Sequence, residues 1–180
     1  MTYANLLGMI ITEFIKGIFS LEICPREGLG IGELMIKSDI DLAKELLVKE
    51  HLNICIVRDG LVVFKSKNRG IQPMYKAVTD CLDQLENASV ADRVIGRAAA
   101  LLAIYSKVSN VYSDVISDNA VDLLQAHDIH VSHKVQVTNI KNRDKTDLCP
   151  IEKLSSTITD TDYDKLLDKI RLFLISISAL

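Results

Sequence analysis

The residues best equipped for chemistry are Cys149 and Glu152, in the run Cys149-Pro150-Ile151-Glu152. Proline suits the first position of a helix, where its missing N–H costs nothing. That puts Cys149 at the N-cap and Glu152 at the third helical position, a capping-box spacing with Cys in place of Ser. A thiol at a helix N-terminus has its thiolate stabilised by the dipole and the free N–H groups. Cys149 is therefore a candidate nucleophile, with Glu152 or Asp144 orienting a proton or a substrate group. The same four residues also make an ordinary helix cap that happens to carry sulfur.

Arg97 is the second candidate, a cation inside a run that is otherwise apolar or small from Val94 to Tyr105. A permanently charged planar fork there suits a phosphate or carboxylate. An ion pair with Asp144 or Glu152, or a guanidinium that snorkels to solvent, would serve structure alone. Asn142, Arg143 and Asp144 form the third candidate, in a polar loop of the kind that carries binding groups on a rigid scaffold. They also make ordinary turns through side-chain bonds to backbone. His127, His130 and His133 span a helix end, a turn and a strand, so their side chains diverge and no metal site is expected. His133 falls among valines and reads as a half-buried histidine; Asp114 reads as a solvent-facing strand residue.

These groups need elements to hold them. Ser89–Tyr105 reads as one central helix, hydrophobic around nearly its whole circumference, with Ser89 and Asp92 as its capping box. Gly96 would cost that helix about 1 kcal/mol relative to Ala, tolerable where another chain segment approaches closely. Ahead of it, Asp41–His51 reads as a helix with Leu42, Leu46 and Leu47 on one side. Asn53–Val57 and Leu61–Lys65 flank Asp59-Gly60, a type I′ hairpin signal. Pro73 opens a helix to about Glu86. Behind it come a strand at Asn110–Ile116, a helix from Asp118 to His127 with Ser117 as N-cap, and a strand at Val131–Val137. A short helix at Pro150 and a last helix, with Thr161 and Asp164 as its box, close the chain. The alternation predicts an α/β sandwich with a mixed sheet that begins as an antiparallel hairpin.

At 180 residues, with 48% hydrophobic and 25% charged residues and a net charge of -3, the chain suits one core-forming domain. It offers nucleic acid neither a basic block nor, with no Trp, a stacking surface. Four cysteines (24, 55, 81 and 149) without a C-x-x-C pair point to free thiols and a reducing cytoplasm. Asn5–Ile23 is apolar but interrupted by Glu13 and Lys16, which disfavours a spanning helix, and it lacks the marks of a secretory signal. Residues 1–39 are expected to be an extension of apolar helix and Gly-rich link, and 40–175 the α/β domain. The Gly28–Gly32 run has no following Lys-Ser/Thr to make it a phosphate loop.

Four phrases carry a resemblance: LAKELL…VRDG at Leu42–Gly60, ADRVIGRAAALL at Ala91–Leu102, VYSDVIS at Val111–Ser117 and NRDKTDLCPIEKL at Asn142–Leu154. Over residues 40–173 the chain resembles an uncharacterised bacterial and archaeal family, a domain of unknown function assigned to the cytidine-deaminase-like fold. The resemblance implies a three-layer α/β/α sandwich. That fold's zinc chemistry needs a His or Cys followed two positions on by Glu at the start of the buried helix. It also needs a P-C-x-x-C at the start of the next. Here those places read Gly96-Arg97-Ala98-Ala99 and Ser117-Asp118-Asn119-Ala120-Val121. Zinc-dependent deamination is therefore excluded, and neither metal nor cofactor is expected.

The resemblance also brings Arg97 near Cys149. The resulting expectation is a zinc-free domain that binds a small anionic or nucleotide-like metabolite, using Arg97, Asn142, Arg143, Asp144 and the helix start at Cys149. The alternatives are a thiol enzyme built on Cys149 and Glu152, and a non-catalytic module whose apolar first helix docks a partner or a second copy as a homo-oligomer.

Overall fold

The computed structural model describes residues 37–180, which lie in the unit Ile36–Leu180. The apolar stretch at Asn5–Ile23 and the glycines that follow it lie outside the described residues. Eleven elements follow one another. They are α1 (Asp39–Lys49), β1 (Ile54–Arg58), β2 (Leu61–Ser66), α2 (Gln72–Leu85), β3 (Ser89–Ile95), α3 (Arg97–Tyr105), β4 (Asn110–Ser117), α4 (Asp118–Ala126), β5 (His130–Val137), α5 (Pro150–Ser155) and α6 (Tyr163–Ser176). The strands form one mixed sheet in the order β2-β1-β3-β4-β5. β1 is antiparallel to both β2 and β3, while β3, β4 and β5 run parallel.

The main departure from the sequence reading is at Ser89–Tyr105, which is a strand and a helix. A continuous apolar run fits a doubly covered strand as well as a buried helix. Val90, Val94 and Ile95 favour the strand, and Ser89 is a buried strand residue whose hydroxyl accepts from the Asn110 amide instead of capping a helix. Gly96 ends the strand, and the helix that remains is shorter and more apolar. All of Ala98–Ile104 is buried.

Local turn chemistry appears where its residues asked for it. Asp59 and Gly60 both take positive φ, 53° and 75°, the geometry of a type I′ turn. Ser38 and Ser117 cap α1 and α4 with their hydroxyls. The last helix starts one residue later than Thr161 implied, with Asp162 accepting from the Lys165 N–H.

Two cores flank the sheet. α1 closes one face through Ala43 and Leu47 against Cys55, Val57, Ala91 and Tyr112. Burial, and secondarily Glu50, pushes the Cys55 thiol up to about 11, so it packs as a small hydrophobe. The opposite face carries α2, α3, α4 and α6 over Ile54, Ile56, Val90 and Val111. The result is a three-layer α/β/α sandwich.

Val90 and Ile95 belong to the same core although they are five residues apart, as do Val111 and Ile116. Strict alternation would put each pair on opposite faces. Both strands change phase together near Asp92–Val94 and Ser113–Val115. There Asp92 Oδ1 accepts the Val94 N–H and the Ser113 hydroxyl donates to the Val115 carbonyl. The shift keeps Ile95 and Ile116 under the helices that start within two residues of each strand's end.

Candidate functional site

The carboxyl ends of β3 and β4, where α/β sheets commonly bind ligands, carry the starts of α3 and α4. α3 has no local cap. Its N-cap is Gly96, and its first turn holds no acidic residue. The acceptor for its first amide comes from 55 residues away: the Arg97 N–H donates to Glu152 Oε2 at 3.0 Å. Gly96 leaves room for that carboxylate. A Cβ on it would lie 2.9 Å from Glu152 Oε2 and 3.0 Å from both Cδ and Oε1. Glu152 itself is buried, with only 9% of its surface exposed.

The Arg97 side chain completes the closure. Nε donates to the Ser155 carbonyl (3.2 Å), Nη1 to Asn119 Oδ1 (3.0 Å), and Nη2 to the Ile158 carbonyl (2.9 Å) and Asp160 Oδ1 (2.5 Å). Its ion-pair partner is thus Asp160, whereas Glu152 meets its backbone. The guanidinium ties the segment at 152–160 to the starts of two helices, and the Ser155 hydroxyl reinforces that segment by donating to the Glu152 carbonyl. Each contact to a charged group contributes on the order of 1.5–3 kcal/mol where solvent is excluded. Asp160 is 44% exposed, so its share is smaller.

The structure thus brings Arg97 and Glu152 together. Cys149 is the N-cap of α5, as its spacing implied, but its thiol makes no capping bond and Glu152 turns away to α3, so no capping box forms. Asn142 closes its own loop: its Oδ1 accepts from the Thr146 and Asp147 N–H groups, and its amide donates to the Thr146 hydroxyl. Arg143 and Asp144 stand exposed on that loop. Asn119 and Asp160 had no local signal; each is an ordinary polar residue until the fold places it against Arg97.

Two further expectations change. His133 is exposed rather than half-buried. Asp114, read as solvent-facing, is half-buried on the α1 side, pairing with Arg93 Nη1 at 2.6 Å and Lys134 Nζ at 2.7 Å and accepting from the Tyr112 hydroxyl at 3.0 Å. Burial opposes its charge, but hydrogen bonds from Lys134, Arg93 and Tyr112 outweigh that and hold its carboxyl below the usual range. Arg93 also donates to the Leu47 and Leu52 carbonyls, locking the end of α1 to the sheet. Asp92 on the same strand pairs with no cation among the described residues; although it keeps some exposed surface, desolvation pushes its carboxyl up to about 7.

A family model described as TM1506, domain of unknown function (DUF1893), matches residues 42–170. The chain belongs to this family. A crystal structure of a DUF1893 family protein (TM1506) from Thermotoga maritima has the same fold, with a TM-score of 0.65 and 23% identity, covering 82% of this chain and 97% of that one. A diaminohydroxyphosphoribosylaminopyrimidine deaminase/5-amino-6-(5-phosphoribosylamino)uracil reductase (tm1828) from Thermotoga maritima is a more remote match. Its TM-score is 0.38 with 16% identity, over 64% of this chain and 39% of that one. No curated protein matches.

In this DUF1893 chain the two helix starts hold Gly96-Arg97 and Ser117-Asp118-Asn119, with Glu152 on the Arg97 amide. Among the described residues no three His, Cys, Asp or Glu side chains converge as ligands for a metal ion. The donor set at this pole is one carboxylate engaged by an amide, one by a guanidinium, and an amide oxygen, which does not fit zinc. No helix among the described residues is long and apolar enough to cross a membrane.

Proposed function

We propose that this domain binds a small anionic or nucleotide-like metabolite at the start of α3, in exchange for the carboxylate of Glu152. The supporting observation is the 3.0 Å contact from the Arg97 amide to Glu152 Oε2. A helix start with free N–H groups beside a fixed guanidinium is an anion site by its electrostatics. Here the chain's own carboxylates occupy it. Glu152 stands on the amide and Asp160 on the guanidinium, as a phosphate or carboxylate of a ligand would.

This occupancy sets what a ligand must do. A tethered group competes at an effective concentration of order mM, so a simple anion that only replaces Glu152 binds weakly. A useful ligand needs a second contact, which favours a phosphate or carboxylate attached to a larger body over a bare ion. Arg143 and Asp144, exposed on the loop before α5, are the candidates for it.

The test is a thermal-shift screen against nucleosides, nucleotides, sugar phosphates and simple anions, with Arg97→Ala, Glu152→Gln and Cys149→Ser run alongside. A ligand at 100 times its Kd raises stability by about 2.7 kcal/mol. The reading expects a nucleotide or sugar-phosphate hit that is stronger in Glu152→Gln, lost in Arg97→Ala and kept in Cys149→Ser. A flat screen with every variant folded contradicts it and moves the interaction-module alternative to the front.

A further inference from the structure

A different part of the molecule points to self-association. Among the described residues β5 is the last strand of the sheet, and all of its residues except Val131 and Val137 are exposed. Open strand edges are templates for another strand, and soluble proteins usually blunt them with charges, proline, bulges or short length. The two edges of this sheet differ in that respect. β2 breaks register against β1 at Ile56/Val57, and its Lys65 pairs with Glu50 beyond the strand. β5 runs eight residues without a proline. Its one formally charged side chain, Lys134, leans back onto Asp114.

The sequence of β5 is also self-complementary. Placed antiparallel to itself about His133, the run Ile129–Val137 sets Ile129 against Val137, His130 against Gln136, Val131 against Val135 and Ser132 against Lys134. Apolar residues then meet only apolar ones, including Val135, which is 51% exposed. A slip by one residue sets valines against polar side chains, and a slip that centres on Lys134 sets the two lysines face to face. One register therefore stands out, and a two-fold axis generates it from a single kind of surface.

We propose that two copies of this chain pair along β5, antiparallel about His133, joining their sheets into one continuous sheet. The partner is a second copy because the strand's own sequence supplies the matching surface.

The test is sedimentation equilibrium on the full chain over a micromolar concentration series, with Val135→Lys, His133→Lys and His133→Cys. Both positions face solvent, so the three variants should fold, which circular dichroism checks. The expected result is a wild-type dimer, weakened roughly tenfold or more in Val135→Lys and His133→Lys. In addition, His133→Cys should give a disulfide-linked dimer on mild oxidation that the oxidised wild type does not, because residues opposed across an antiparallel pair lie within disulfide reach. A wild-type monomer throughout the series overturns the proposal. So does a dimer that neither lysine weakens, which would place the interface elsewhere.

Discussion

α3 and α4 start at neighbouring strand ends, yet they are held in opposite ways. α4 carries its own cap: the Ser117 hydroxyl accepts from the Ala120 N–H three residues on, and Asp118 adds an acidic first turn. α3 has a bare glycine at its cap and borrows a carboxylate from α5. The first start is stable by local chemistry. The second depends on the segment at 152–160 staying in place, and Arg97 is what keeps it there. A helix start whose cap is remote can exchange that cap without unravelling a local motif, and this is why the α3 pole is the better candidate for binding.

The comparison can be broken most forcefully at Arg97. Arg97→Ala removes four hydrogen bonds and should lower stability by about 3 kcal/mol, the low end for a buried pair because Asp160 is partly exposed. Urea unfolding measures it. Glu152→Ala leaves the Arg97 amide without its acceptor and should cost about 2 kcal/mol. Glu152→Gln keeps an oxygen and should lose only the charge–dipole part, about 0.5 kcal/mol. Ser117→Ala, the matching change at α4, should cost about 1 kcal/mol.

Gly96→Ala sharpens the contrast. With Glu152 present the new Cβ displaces its carboxylate from the Arg97 amide, and about 1–2 kcal/mol should be lost. In a Glu152→Ala background the same change should cost almost nothing, and a double-mutant cycle reads that coupling directly. If Gly96→Ala is equally costly in both backgrounds, the remote cap is not what requires the glycine.

A further effect, read as a pH dependence, comes from outside both helix starts. Burial raises the Asp92 carboxyl in the folded protein to about 7, above the usual carboxylate range. A raised carboxyl binds its proton more tightly in the folded state, so its stabilising contribution is complete below about pH 4. It is lost as pH rises through about 7. Asp92→Asn should therefore unfold with a weaker pH dependence than wild type between pH 5 and 8, and be relatively more stable at the upper end. Melting temperatures across that range check the sign.

How far the sequence could be read follows the same division between local and remote. Asp59-Gly60, Ser117 and Cys149-Pro150 announced their roles because turns and caps are decided by a few adjacent residues. Ser89–Ile95 did not, since an apolar run fits a central strand and a buried helix alike. The family resemblance did better there than periodicity, because it set the start of the buried helix at Gly96-Arg97, where the structure has it. Glu152 was legible as a residue equipped for chemistry, though its spacing named the wrong helix. The acceptors around Arg97 lie 22 to 63 residues away, and no local pattern carries that distance.

The most direct test of the exchangeable cap is the backbone amide resonance of Arg97, followed by NMR while a nucleoside monophosphate is titrated into wild type and Glu152→Gln. An exchangeable cap predicts that this amide shifts in both, at a lower ligand concentration in Glu152→Gln. An Arg97 amide that stays fixed in both proteins while each remains folded would contradict the account, leaving Glu152 as a structural cap and nothing more.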